Sequence, residues 1–150
     1  MSITKASERV AVLAALDPVS RSAGTVTSGW VPVSAWSSVL AVLQAGALGS
    51  SATVDAKLQQ AKDASGTGAK DITGKAISQW TQAGTDKSNK QAIVNVRTAD
   101  LDVANDFTHV RFSVTTATAA SVSSALLLGI GYRRGAATAG NAASVDQVVG

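Results

Sequence analysis

Hydrophobic and polar residues alternate with a period of two in two segments of the chain. In "FTHVRFSVT", Val110, Phe112 and Val114 take turns with His109, Arg111 and Ser113, and in "AIVNVRT", Val94 and Val96 oppose Ile93, Asn95 and Arg97. Successive side chains of a strand point to opposite faces, so each pattern predicts a strand with one buried face. "SVLAVLQAG" and "SALLLGIGYR" are unbroken apolar runs and read as strands covered on both faces. "TVTSGWVPV" reads as an edge strand, because Pro32 has no N–H to donate to a ladder. Gly24, Gly29, Gly46, Gly49, Gly66, Gly68, Gly74, Gly84, Asn105-Asp106 and Gly135 separate short apolar segments at regular intervals. The prediction is an all-β chain: a two-sheet β-sandwich, jelly-roll or Greek-key like, of about eight strands, with flexible or extended termini. Val94, Val96, Val110, Phe112, Val114, Leu126 and Leu128 are the expected core.

Two segments admit either period. "SSATVDAKLQQAKDA" puts Val54, Leu58 and Ala61 at helical spacing and is made of good helix formers. With period two, Val54, Ala56 and Leu58 face inward and Asp55, Lys57 and Gln59 outward. The strand reading is preferred, since the architecture around a segment overrides its local propensity. "SERVAVLAALD" carries the same ambiguity. Residues 1–135 are expected to form one sandwich domain including an N-terminal arm, and residues 136–150 a C-terminal tail or arm.

Composition narrows the function classes. A length of 150 residues suits one domain. With 4% aromatic residues, the core must be built from Val, Leu, Ile and Ala, which favours extra stabilisation by a partner or by further copies. Charged residues are 15% of the chain, against about 25% in an average globular protein. Such a low-charge surface suits packing against other protein. The net charge is +3, but the basic residues are scattered and Arg133-Arg134 is the only close pair. A nucleic-acid binder gathers its Lys and Arg on one face, so no nucleic-acid partner is expected. The absence of Cys removes disulfides, thiolate zinc sites and thiol catalysis. The apolar run Val10 to Leu16 is too short to span a bilayer, and Asp17-Pro18 interrupts it; neither a signal peptide nor a membrane partner is expected.

Several groups are candidates for chemistry. "VDAKLQQAKDASGTGAKDITG" sets Asp55, Asp63 and Asp71 around a Ser-Gly-Thr-Gly turn. It has too few alternating oxygen ligands for a calcium loop and lacks a closing Glu, so it reads as a hairpin connection. A Ser-His-Asp triad would have to use His109, the single histidine, which the strand pattern points away from the core. Asp100, Asp102 and Asp106 could ligate a cation or act as an acid/base pair, but a cluster among turn formers reads first as a solvated connection. Trp30, Trp36 and Trp80 fit a sugar platform less well than core plugs or interface anchors. The chain is therefore expected not to be an enzyme. No catalytic, cofactor-binding or metal-binding residue is assigned, and no cofactor is expected.

The runs "VAVLAALDPVSR", "TSGWVPVSAW", "TVDAKLQQAKDASGTGAKDITG" and "FTHVRFSV", with "LLLGIGYR" after them, resemble a family of small virion proteins encoded among the head genes of tailed bacteriophages and prophages. The resemblance covers Val10 to Arg133, and the ending "GYRRGAATAG" departs from it. It brings no catalytic motif. It implies a short β-sandwich in the virion, at the capsid surface, made in the host bacterial cytoplasm. The implied role is capsid decoration, or cementing, by a homotrimer whose partner is the major capsid protein. Other virion parts and a carbohydrate-binding sandwich are the alternatives.

Overall fold

Ten strands run in chain order as β1 (Val10–Arg21), β2 (Gly24–Thr27), β3 (Val31–Pro32), β4 (Trp36–Ala45), β5 (Thr53–Ala61), β6 (Lys70–Ala76), β7 (Trp80–Thr81), β8 (Gln91–Arg97), β9 (His109–Ala117) and β10 (Ser121–Tyr132). The computed structural model describes residues 5–150, and among them the helical pieces are 3₁₀ turns of three or four residues. Part of the expected N-terminal arm, residues 1–4, lies outside the described residues.

The long strands pair antiparallel in a nested set: β1 with β10, β2 with β9, β4 with β8, β5 with β6. Two further antiparallel pairings, β10 with β4 and β9 with β5, join these into sheets ordered β1-β10-β4-β8 and β2-β9-β5-β6. A chain folded back on itself and then rolled into two facing sheets is a jelly roll, so the fold is an all-β two-sheet sandwich of that winding. The short β3 and β7 extend the second sheet, on β9 and β5.

The core lies between the sheets. Val54, Ala56 and Leu58 of β5 and Val110, Phe112 and Val114 of β9 face Val39, Ala41 and Leu43 of β4 and Ala125 and Leu127 of β10. Both ambiguous segments are strands, β5 and β1. In β5 the inward and outward sets are those of the period-two pattern, because β6 and β9 supply the ladder partners that a lone helix-forming sequence lacks.

Two core assignments need correction. Leu126 is 42% exposed and Leu128 only partly buried, while their neighbours Ala125 and Leu127 are buried. Three consecutive leucines hide the parity of the strand; the cross-strand partners Leu43 and Ala41, both in the core, set it. For the same reason β4 and β10 are not covered on both faces: their outward positions keep solvent contact. Val94 is half-buried, because β8 ends its sheet.

Pro32 sits on the edge, as its missing N–H requires. The edge is interrupted at Ser28, whose N–H donates to the Phe112 carbonyl and whose Oγ accepts from the Phe112 N–H at 2.8 Å. The chain then detours through Gly29 and Trp30 and rejoins β9 at Val31.

Past β10, residues 137–142 still pack on the sandwich. Ala137 is fully buried, and Gly140 lies against the Trp36 ring. Asn141 Oδ1 accepts from the Val12 N–H at 2.9 Å, and the Ala142 N–H donates to the Val12 carbonyl at 2.7 Å. This segment therefore extends the outer edge of β1.

Candidate interaction surface

The outer faces of the two sheets differ in chemistry. On the β2-β9-β5-β6 sheet the outward side chains are polar and satisfy one another. Arg111 donates from Nε to Gln59 Oε1 at 2.9 Å, Gln59 donates to Asp71 Oδ1 at 2.9 Å, and Lys57 reaches Asp71 Oδ2 at 2.9 Å. Hydrogen bonds from Lys57 and then Gln59 hold the Asp71 carboxyl below the ordinary carboxylate range. Thr25 and Thr115 hydroxyls meet at 2.7 Å across the strands, and Gln79 donates to Asp55 at 2.8 Å. The Arg111 guanidinium also lies over the Trp30 ring, 4.4 Å from its centroid.

The candidate groups of the sequence lie in this half or in the adjoining loops. Asp63 accepts from the Ser65 and Thr67 N–H groups at 2.9 and 3.1 Å, the geometry of a turn residue, with Gly66 and Gly68 at positive φ beside it. Thr67, through side chain and backbone, is the main cause of its lowered pKa. Residues 62–69 are the β5–β6 hairpin loop, which answers to the hairpin reading, with Asp63 in the loop and Asp71 in β6. Asp102 is held by Lys70 and by Asn105 Nδ2, and the Gln60 side chain accepts from its N–H at 2.8 Å. Asp100 accepts from the Arg97 N–H at 2.9 Å and pairs with Lys75 at 3.3 Å. Asp106 takes a left-handed conformation, φ 64°, closing a 3₁₀ turn. Among the described residues no three His, Cys, Asp or Glu come together as a metal site. His109 bonds its neighbour Thr108 at 2.9 Å. Trp36 and Trp80 are buried plugs, and Trp30 is half-buried beneath Arg111, so the three form no exposed platform.

The outer face of the β1-β10-β4-β8 sheet is apolar over most of three rows, with a polar row of Ser124, Gln44 and Gln91 beside them. Its register aligns Ala15, Leu126, Val42 and Ile93 in one row across the four strands, and Val12, Leu128, Leu40 and Asn95 in the next. A third row begins Val10, Ile130 and Ser38 and ends on Arg97. Ile93 is 62% exposed. A groove of about 420 Å³ crosses this face, lined by Val12, Val42 and Leu126, by Gln44 and Ser124 of the adjoining polar row, and by Asp17, Pro18 and the tail's Ser144 and Val145. The sequence reading missed the face because it took Leu126 for core. The signal was present in Ile93, which opposes Val94 and Val96 in "AIVNVRT" and so had to point away from the interior.

No protein-family model matches the chain, and no curated protein matches it by sequence. Among solved structures it is similar to VP2 of infectious bursal disease virus in a subviral particle, with a TM-score of 0.50 and 16% identity, over 87% of this chain and 34% of that one. Structures of the Gt and Gx strains of that virus give TM-scores of 0.43 and 0.42 at 14% identity, covering 33% and 34% of those chains. The chain spans about a third of the length of the VP2 chain it matches. At this identity the likeness shows the fold.

Proposed function

We propose that the protein is a structural component of a virus particle and that it decorates the assembled head of a tailed bacteriophage. The observation that carries the first part is the jelly-roll sandwich, similar to the VP2 of a subviral particle. The finer part, decoration, is supported by the contrast between the two outer faces. A protein that fills a repeated niche on a shell needs a docking surface more than convergent reactive groups. This one has a low-charge face on one sheet and a polar, internally satisfied face on the other. The partner is the major capsid protein, with the chain itself as a homotrimer at three-fold positions. Each bound copy favours the assembled shell by mass action, because it binds the assembled form and not the separate subunits.

Counting copies per particle by quantitative mass spectrometry tests this. Hundreds of copies are expected. A dozen or fewer would assign the chain to a vertex, connector or tail part, and its absence from purified particles would overturn the virion role.

A further inference from the structure

The apolar face needs an occupant. Its three rows carry a single charged side chain, Arg97, at one corner, and Asp17 borders the diagonally opposite end. Strands lie about 4.8 Å apart and rise about 3.3 Å per residue, so the rows span roughly 300 Å². That is the size of the largest apolar patch on an ordinary monomer, a patch that is often functional. It is still less than half of the roughly 800 Å² that each partner of a stable interface buries, so a second element must add to it.

That element lies beside the face. The tail is anchored to Val12 through Asn141 and Ala142, and its Val145 lines the groove. Beyond it Val148 is 53% exposed and Val149 88% exposed, the largest exposure of a large apolar residue among the described residues. Seven residues separate Ala142 from Val149, a reach of up to about 23 Å when extended. This is enough to lie across a four-stranded face. In the structure the end of the tail instead returns toward the start of the chain, where the Lys5 ammonium meets the Gly150 carbonyl, an exposed contact that costs little to release.

We propose that the outer face of the β1-β10-β4-β8 sheet is a self-association surface, covered by a second copy of this chain whose Val148–Val149 end lies over the part of the groove lined by Val12, Val42 and Leu126. An uncharged field suits this occupant. A charge at the centre of the field would have to be desolvated or paired when another copy covers it, and here Arg97 and Asp17 stand at its margins. Val145 already borders the groove of its own chain, so the same apolar surface is open to the end of a neighbour's tail. The proposal deepens the oligomer part of the reading above but does not depend on any shell, so it is tested on the isolated protein.

The full chain, Leu126→Lys, Ile93→Lys, a chain ending at Ala143, and Thr115→Lys on the opposite face as control would be compared by light scattering after size exclusion. Far-UV circular dichroism would verify the fold of each. The full chain and Thr115→Lys should be oligomers. Both Lys variants of the apolar face should be folded monomers, and the chain ending at Ala143 should associate at least about tenfold more weakly. A full chain that stays monomeric at about 100 µM overturns the proposal. So does a Leu126→Lys protein that associates like the full chain, and undiminished association of the truncated chain overturns the tail's part in it. None of these outcomes bears on the virion role, since a monomer can decorate a shell.

Discussion

Trp36 shows how narrowly single residues hold this fold. A Cβ added at Gly129 would lie 2.5 Å from the Trp36 ring, and one at Gly140 also 2.5 Å from it. These glycines are therefore needed for close approach, and the ring is held between β10 and the tail, with Tyr132 4.7 Å away between centroids. Gly129→Ala must move a buried aromatic ring that has little room to shift. Its expected cost is the overpacking range of about 1–3 kcal/mol. Urea unfolding of the variant would measure it, and an unchanged midpoint would show that the ring moves freely. Ala at Gly84, where nothing lies within 4 Å of the added carbon, meets no clash and is strained only by its φ of +76°.

At the scale of elements, legibility followed the clarity of alternation. β9 alternates strictly from His109 to Val114, and Val110, Phe112 and Val114 are all core. β5 alternates as well but is written in helix formers, so its local preference and its pattern disagreed; ladder pairing on both sides decided it. β10 is apolar at both parities, and nothing local says which leucine points inward. The part of the outer face that β10 supplies was unreadable for that reason, although Ile93 of β8 signalled the face, and the bulge in β1 between Val12 and Ala14 blurs the parity there too. The tail illustrates the opposite limit. Its small residues suggest freedom, yet Ala137 is fully buried and Gly140 fits against Trp36, long-range relations that no window of sequence contains. Removing residues 136–150 should therefore open the end of the sandwich and expose the Val12 edge, lowering stability. Ending the chain at Ala143 keeps those contacts and should leave the unfolding midpoint near that of the full chain. Denaturant titrations of the two truncations at concentrations below self-association would separate them; equal midpoints would mean that residues 137–142 contribute nothing to the fold.

For the whole molecule, the division of labour between the two faces predicts its response to acid. Asp71, Asp100 and Asp102 are held below the ordinary carboxylate range by Lys57, by the Arg97 backbone and by Lys70 respectively, with Asp63 and Asp86 lowered by turn hydrogen bonds. A folded-state pKa below the unfolded value means that the folded protein favours the charged form. The contribution is fully present above the unfolded value of about 3.9 and is lost as pH falls through the depressed folded values. Thermal stability should hence be level with respect to these groups from pH 7 to about pH 5 and fall below about pH 4. Each group is exposed and contributes little alone, so the decline should be gradual. None of these carboxylates lies in the three apolar rows, so Leu126→Lys should show an acid profile of the same shape as that of the full chain, displaced only by whatever association adds. Unfolding midpoints of both proteins between pH 2.5 and 7, taken at one protein concentration, provide the comparison. A profile that changes shape in the variant would mean that the apolar face and the charged loops are coupled, and that the two faces do not act separately.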